Sequence, residues 1–394
     1  MCNSASFRRL AAPETQRRRW LPDQSIGRST KNYTGGLLGA STRRKAARQI
    51  QSRVASDDAI GACCPIGTIE AMPEPQRFDV VALGELVIDL IPTRGADGTA
   101  FLAPKPGGAP GNVALGVVRL GGRAAMLSKV GDDAFGRLLV ETLAANGVVT
   151  DAILATREGN TSLAAVTVGP DGEREFLIYS KGSADSTYAP GEVPADVVRS
   201  AKILHVGSLW LSEPVCGAAQ RYAVRIAHEA GGLVSVDVNL RPALWRNVAE
   251  MRAVALEATL EAEIVKVSME ELALIADTSD VEDGVARLVS PRRRLLAVTF
   301  GSGGALLVSR DRQVRIPGLA VEVADTVGCG DAFMASLLLD IAASTADLVS
   351  EDALVRMGRR AVASGAFAAT VAGAMDALPT SSQRDALLLA ARSV

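Results

Sequence analysis

Residues 325–331 read Asp-Thr-Val-Gly-Cys-Gly-Asp, and an Ala-, Leu- and Met-rich helix is predicted to follow over 330–342. Glycine permits backbone angles at which successive N–H groups converge on one point. The free N–H groups of a helix N-terminus attract anions at that same point. Asp331 falls in the first turn. A carboxylate beside an anion hole can take the proton from a hydroxyl that attacks a phosphoryl group. It can equally serve as a plain helix cap, and the spacing alone leaves both readings open. A second cluster, Gly107-Gly108-Ala109-Pro110-Gly111-Asn112, opens a predicted helix over 113–120. Its glycines let the backbone lie close to a ligand, and Asn112 offers hydroxyls both a donor and acceptors. It lacks the Gly-Lys-Ser/Thr ending of a phosphate-binding P-loop and is no G-x-G-x-x-G fingerprint. Gly121-Gly122 closes this helix, and Gly131-Asp132-Asp133-Ala134-Phe135-Gly136 opens the next.

These clusters need a scaffold that brings them together over some two hundred residues. Strand-like apolar runs recur at 80–83, 203–206, 233–238, 264–267 and 295–299, with helical stretches between them. Over 133–146, Phe135, Leu138, Leu139 and Leu143 share one face and Gly147 stands where a C-cap belongs. Residues 213–230 also read as a helix. Strands alternating with helices predict parallel βαβ units, hence a sheet covered on both faces. Two segments break the rhythm. Residues 162–168 and 174–179 are short strands joined by Pro170-Asp171-Gly172, a turn signal. The polar, turn-rich stretch 93–106 can pair with them, which predicts a small β lid drawn from about 93–106 and 161–180.

Composition excludes several classes. Of 394 residues, 48% are hydrophobic and 22% charged, which supports a folded core. The net charge of −2 gives no overall basic footprint for nucleic acid. No run of 18 apolar residues suggests a membrane span. Five cysteines without a CxxC pair argue against a disulfide framework or a zinc site and fit a reducing compartment. The two histidines, His205 and His228, read as structural, which disfavours a Ser–His–Asp hydrolase. Residues 1–56 carry twelve Arg or Lys against two acids, Glu14 and Asp23. That is the composition of a transit peptide, or else of a tail read from an upstream start. With the proline-bearing linker 57–76 it is set apart as an N-terminal extension, leaving 77–394 as the folded domain. A transit peptide implies a plastid or mitochondrion; otherwise a cytoplasmic location is expected.

Taken together, the motifs resemble those of the ribokinase-like PfkB carbohydrate kinases. Residues 107–112 and 131–136 match the family's N-terminal signature, and 325–331 its C-terminal one. The resemblance covers about 78–379. It implies a three-layer α/β/α fold with a β-sheet lid, and transfer of the γ-phosphate of ATP to a sugar hydroxyl. Asp331 then corresponds to the catalytic base, and the backbone of Gly328, Cys329 and Gly330 to the anion hole. Cys329 stands where Ala is usual, a substitution of similar size that adds an oxidisable thiol. Asp89, in Gly84-Glu85-Leu86-Val87-Ile88-Asp89, corresponds to a sugar ligand, together with Gly108 and Asn112. Ser268-Met269-Glu270-Glu271, preceded by Lys266, resembles the family's Asn-x-x-Glu element. Glu271 would serve Mg²⁺ partly through water; a solvated helix start is the plainer reading. Thr299 and Gly301 match the nucleotide loop. Backbone carbonyls near Asp325, Val327 and Gly373 match a monovalent cation site, for which K⁺ is expected.

Glu213-Pro214, residues 237–245 and residues 171–176 resemble fructokinases in particular. Two departures matter: Asp-Val-Asn at 237–239 for Asp-Pro-Asn, and Ser180 in the lid where Arg is common. An acid sugar needs a cationic clamp, which Lys181 or Arg241 would have to supply. A neutral ketohexose therefore ranks first as the sugar partner and 2-keto-3-deoxygluconate second. A non-catalytic, fructokinase-like plastid protein is the reading outside enzymes. A homodimer paired through the lid is expected, with neither nucleic acid nor membrane as partner. Because 1–56 lack core periodicity, their deletion is expected to leave sugar-dependent ADP release nearly unchanged. A large loss of soluble, active protein on deletion would overturn that.

Overall fold

Apolar residues that alternate between two cores organise the main sheet. A computed structural model describes residues 78–391 apart from 96, 169–173, 311 and 345–349. The basic segment and linker read at 1–76, and the turn at 170–172, lie outside the described residues. Strands in chain order are β1 (Phe78–Leu83), β2 (Val87–Arg94), β3 (Ala100–Gly107), β4 (Ala124–Gly131), β5 (Ile153–Thr156), β6 (Ser162–Val168) and β7 (Arg174–Tyr179). They continue with β8 (Ala201–Val206), β9 (Leu233–Asp237), β10 (Ile264–Ser268), β11 (Leu295–Thr299), β12 (Ala305–Ser309) and β13 (Arg312–Ile316). The helices are α1 (Ala109–Arg119), α2 (Ala134–Ala145), the short α3 (Ala195–Arg199), α4 (Pro214–Glu229) and α5 (Val248–Glu261). After these come α6 (Met269–Ala276), α7 (Val281–Arg287), α8 (Cys329–Ala343), α9 (Glu351–Ala368) and α10 (Ser381–Ala390).

The main sheet runs β13-β12-β11-β10-β9-β8-β1-β4-β5. It is parallel from β5 to β11, and β12 and β13 close it antiparallel. Val80 and Ala82 face a core shared with α1, α2, α8 and α9. Val81 and Leu83 face the other, shared with α4, α5, α6 and α7. A strand's side-chain period of two sends alternate residues to opposite faces, so a fully buried strand reads as one apolar run. The three-layer α/β/α expectation is thus met.

The chain leaves β1 to build β4 and β5 on one side, then crosses back to build β8, β9 and β10 on the other. In open α/β sheets the crevice beyond the strands' carboxyl ends at such a reversal is where ligands bind. Here that point lies between β1 and β8.

A second sheet, ordered β3-β2-β6-β7, forms the lid. Pairs β2–β3 and β6–β7 are antiparallel and β2–β6 is parallel. The hairpin read at 162–168 and 174–179 is present as β6 and β7. The 93–106 stretch is not one strand: it spans the end of β2 and most of β3, and the lid begins at Val87. Asp89, expected as a sugar ligand, lies on lid strand β2. The main sheet releases the chain after Leu83, and Gly84–Leu86 carry it across to the lid.

Candidate active site

The helix that starts at Cys329 places an acid, not a cap, at the sheet's switch point. Gly328 is the N-cap residue, at φ 80°, and has no side chain with which to cap. A Cβ there would come within 3.1 Å of the Ala374 backbone, and that left-handed φ favours glycine. Asp331 stands in the first turn, 8% exposed, and its Oδ2 accepts a 2.7 Å hydrogen bond from Asn112 Nδ2. Asn112 lies in the first turn of α1, which begins at Ala109, earlier than the sequence reading placed it. Gly108 precedes that turn at φ 105°, with Glu85 O only 2.5 Å from where a Cβ would sit.

These residues line one cavity of about 370 Å³ together with Asp89, Gly207, Ser208, Asn239, Arg241, Lys266, Ser268 and Glu271. Gly207 and Ser208 follow β8, and Ser268 ends β10. Val87, Asp89, Ala164 and Ile178 come from the lid sheet. The cavity therefore sits at the carboxyl ends of the strands and beneath the lid.

Its charges are unevenly matched. Lys266 Nζ donates to Asp237 Oδ1 and Oδ2 at 3.0 and 3.1 Å, and both residues are buried. Burial opposes the Lys266 charge, but Asp237, Glu271 and Asp331 outweigh it and hold its pKa above the ordinary value. A Cβ on Gly330 would meet Lys266 Nζ at 3.0 Å, so the ammonium lies against the first turn of α8. Burial pushes Asp331 up to about 6, reinforced by Asp237 and opposed by the Asn112 hydrogen bond, Lys266 and Arg241. Burial and then Asp331 raise Asp89 to about 6 as well, against Arg241. A carboxylate at about 6 is ionised at neutral pH yet basic enough to receive a proton.

Glu271 completes a capping box at the start of α6. Its Oε2 accepts from Ser268 N at 2.8 Å while Ser268 Oγ accepts from Glu271 N at 3.1 Å. Its Oε1 accepts from Leu240 N at 2.7 Å, which ties the β9–α5 loop to α6. Burial holds its pKa up, against the pull of Lys266. Thr299 pairs with Ser268 across β10 and β11. Thr299 and Gly301 thus stand at the adjoining strand end but outside the cavity lining. Asp325 Oδ1 accepts from Thr326 N and Val327 N at 2.7 and 3.2 Å, and its Oδ2 accepts from Gly373 N at 3.2 Å. The three residues read as a cation site are therefore brought together. Burial pushes the Cys329 thiol up to about 11, which leaves little thiolate for the oxidation expected there.

Some motif residues turn out to build rather than bind. Asp133 caps α2 through Gly136 N at 2.8 Å, and Thr161 N and Oγ1 also donate to it at 2.8 Å, anchoring the start of β6. His205 is buried beside Ser235 and lowered to about 4 by burial, so it stays neutral. Lys181 is exposed and outside the cavity lining, whereas Arg241 lines it. The sequence reading missed Glu85, Ser208 and the Lys266–Asp237 pair as parts of one site. Asp237 had one signal: an acid directly after the buried run 233–236.

A family model for the pfkB family carbohydrate kinases matches residues 77–381. The chain belongs to that family. A maize (Zea mays) fructokinase-1 is 41% identical over 309 residues, 77% of this chain and 95% of the maize protein. A probable chloroplastic fructokinase-6 of Arabidopsis thaliana is 40% identical over 307 residues, 76% of this chain and 80% of its own length. The ATP-bound fructokinase of Xylella fastidiosa superposes with a TM-score of 0.74 at 31% identity, covering 80% of this chain and 99% of that one. A double mutant of Vibrio cholerae fructokinase, with fructose, ADP and potassium bound, gives 0.71 at 31% identity, covering 80% and 99%. Like other pfkB members, this carbohydrate kinase is a phosphotransferase with an alcohol acceptor.

The Asn112–Asp331 bond generates a pH expectation. Acting as a base, Asp331 would lose activity as pH falls through about 6. The bond favours the ionised form, so Asn112→Ala should raise the Asp331 pKa and move the acid limb of kcat to higher pH. An acid limb that does not move would show that Asn112 leaves the base untuned.

Proposed function

We propose that the protein is an ATP-dependent kinase of a neutral ketohexose, converting fructose to fructose 6-phosphate. The observation that carries this reading is the juxtaposition of Asp331, the N-terminus of α8 and the Lys266 ammonium in one cavity beneath the lid. Asp331 takes the proton from the hydroxymethyl oxygen as that oxygen attacks the γ-phosphorus of ATP, and the bond from the γ-phosphorus to the β–γ bridging oxygen breaks to release ADP. The N–H groups of Gly328, Cys329 and Gly330 face the charge that develops on the phosphoryl oxygens, and Lys266 adds a fixed cation. Asp89, Gly108 and Asn112 hold the sugar, and Thr299 and Gly301 the nucleotide phosphates. The lid keeps water from competing for the phosphoryl group.

Among the described residues no three acidic, His or Cys side chains cluster to cage a metal. Glu271, whose carboxylate is already held by two backbone N–H groups, is the residue that would help to hold Mg²⁺ beside the nucleotide phosphates. Bound there, Mg²⁺ would neutralise charge on the β- and γ-phosphates. Potassium at Asp325, Val327 and Gly373 would stiffen the anion-hole loop, which Asp325 already ties to Gly373.

Fructose is favoured over 2-keto-3-deoxygluconate because, among the described residues, Arg241 is the cavity's one cation besides the Asp237-paired Lys266. Asp89, Asp331 and Glu271 oppose a carboxylate there. The fructokinase relatives support the same choice. Two further parts of the reading concern the whole chain. Residues 1–56 are a targeting segment for a plastid or mitochondrion, supported by their basic composition and by the chloroplastic relative; fusion to a reporter tests this. The lid carries exposed Phe101, Leu102, Leu177 and Tyr179, which suits a homodimer, and sedimentation of a Phe101→Glu variant tests that.

Coupled ADP-release assays across a sugar panel test the central claim. Fructose should show the highest kcat/KM, ahead of ribose, adenosine and 2-keto-3-deoxygluconate. Asp331→Asn should lower kcat by about 10²–10⁴-fold with little change in substrate affinity. Replacing potassium by a bulky organic cation at matched ionic strength should slow turnover. A preference for 2-keto-3-deoxygluconate would mean that Arg241 clamps a carboxylate. Fructose binding without any turnover would favour the non-catalytic plastid reading.

A further inference from the structure

Glu85 is a buried carboxyl group that the reaction outlined above leaves unused. It follows Gly84 where the chain passes from core strand β1 to lid strand β2, and it lines the acceptor cavity beside Asp89, Gly108 and Arg241. It is 5% exposed, and its Oε2 has no hydrogen-bond partner among the described residues. Leaving a buried carboxyl oxygen unpaired is costly, and a hydrogen bond with a molecule in the cavity would relieve that cost. Asp185 and Asp331 face it with like charge, against one opposing cation, Arg241. Asp185 is itself pinned by Ser162 Oγ, Ser183 Oγ and Trp210 Nε1, at 2.6, 2.5 and 3.2 Å.

We propose that Glu85 is a specificity-determining residue for the acceptor sugar, its carboxyl edge hydrogen-bonding a sugar oxygen and so fixing which hydroxymethyl group is turned toward Asp331. Burial, helped by Asp185 and Asp331, holds the Glu85 pKa up to about 8, so at neutral pH the group is a neutral donor. A sugar hydroxyl or ring oxygen can accept that proton while adding no charge to a cavity already rich in carboxylates. Glu85 also sits on the link to the lid, so a sugar bound to it bridges the two sheets. The inference rests on the sugar-kinase reading and adds the group that orients the sugar.

The test compares Glu85→Leu, which keeps bulk without the hydrogen bond, with Glu85→Gln, which keeps a donor that does not titrate. At pH 7 Glu85→Leu should raise the KM for fructose on the order of 10-fold, with the KM for ATP unchanged. Glu85→Gln should recover most of that loss. In the parent enzyme the KM for fructose should rise as pH passes about 8, and in Glu85→Gln that rise should vanish. Stability supplies a second readout. The folded-state pKa lies above the ordinary 4.5, so the native state holds the extra proton and loses stability as pH rises from about 4.5 to 8. Glu85→Gln should lack that component of the decline in Tm, and it carries the test if Glu85→Leu fails to fold. A fructose KM that ignores pH in both enzymes, or is unaltered in a folded Glu85→Leu, overturns the inference. If the parent turns over no sugar, the kinase reading fails instead. Calorimetric fructose binding to parent and Glu85→Leu then decides Glu85, with equal affinities overturning its role.

Discussion

One hydrogen bond, Asn112 Nδ2 to Asp331 Oδ2, joins side chains 219 residues apart and sets the requirements of much of the fold. It exists only if the first turns of α1 and α8 meet. The two helices touch through small residues: a Cβ on Gly116 would lie 2.6 Å from that of Ala335. Both helices rest on the same face of the sheet, against Val80 and Ala82. The sheet's reversal between β1 and β8 opens the crevice into which both N-termini point. The amide partner, the small contact residues and the strand order serve one end, which is to hold a buried carboxylate ionised where water is scarce.

That carboxylate sits in a cavity whose electrostatics are set by excess acid. Asp89 and Asp331 are raised to about 6, and Glu85 to about 8. Burial is the first cause for each, and mutual repulsion adds to it. Their folded-state values exceed those of the open chain, so each costs stability as pH climbs from near 4 to the folded value. A protein selected for stability alone would not gather them. The proton transfer and sugar binding proposed here would gain from doing so. The buried Lys266–Asp237 pair limits the repulsion, and its ammonium lies against the first turn of α8.

The lid is tied to this centre by carboxylates as well as by backbone. Asp185 receives hydrogen bonds from the lid strand β6 through Ser162, from the lid's exit through Ser183, and from Trp210 after β8. Asp133 ties the N-terminus of α2 to Thr161, just before β6. Part of the N-terminal signature therefore anchors the start of lid strand β6, which explains why its acidic residues lie outside the cavity.

Features that depend on local backbone chemistry were legible from residue order. The glycine pairs at 107–108 and 328/330 announced helix starts with close backbone approach, and the alternation of apolar runs with helical periods announced the layered sheet. Asp331 and Asn112 stood out because each sits beside such a turn. What chain order could not disclose depended on register and topology. Lys266 meets Asp237 because β10 lies beside β9 in parallel, with the two residues paired across the strands. Glu85 enters the cavity, and Asp89 the lid, because β1 ends at Leu83 and the chain crosses to a second sheet. Glu271 reads as a helix-start acid, and only the fold brings Leu240 N to its other oxygen. Periodicity is a property of neighbours along the chain, whereas a buried charge takes its pKa and its partner from whatever distant element packs against it.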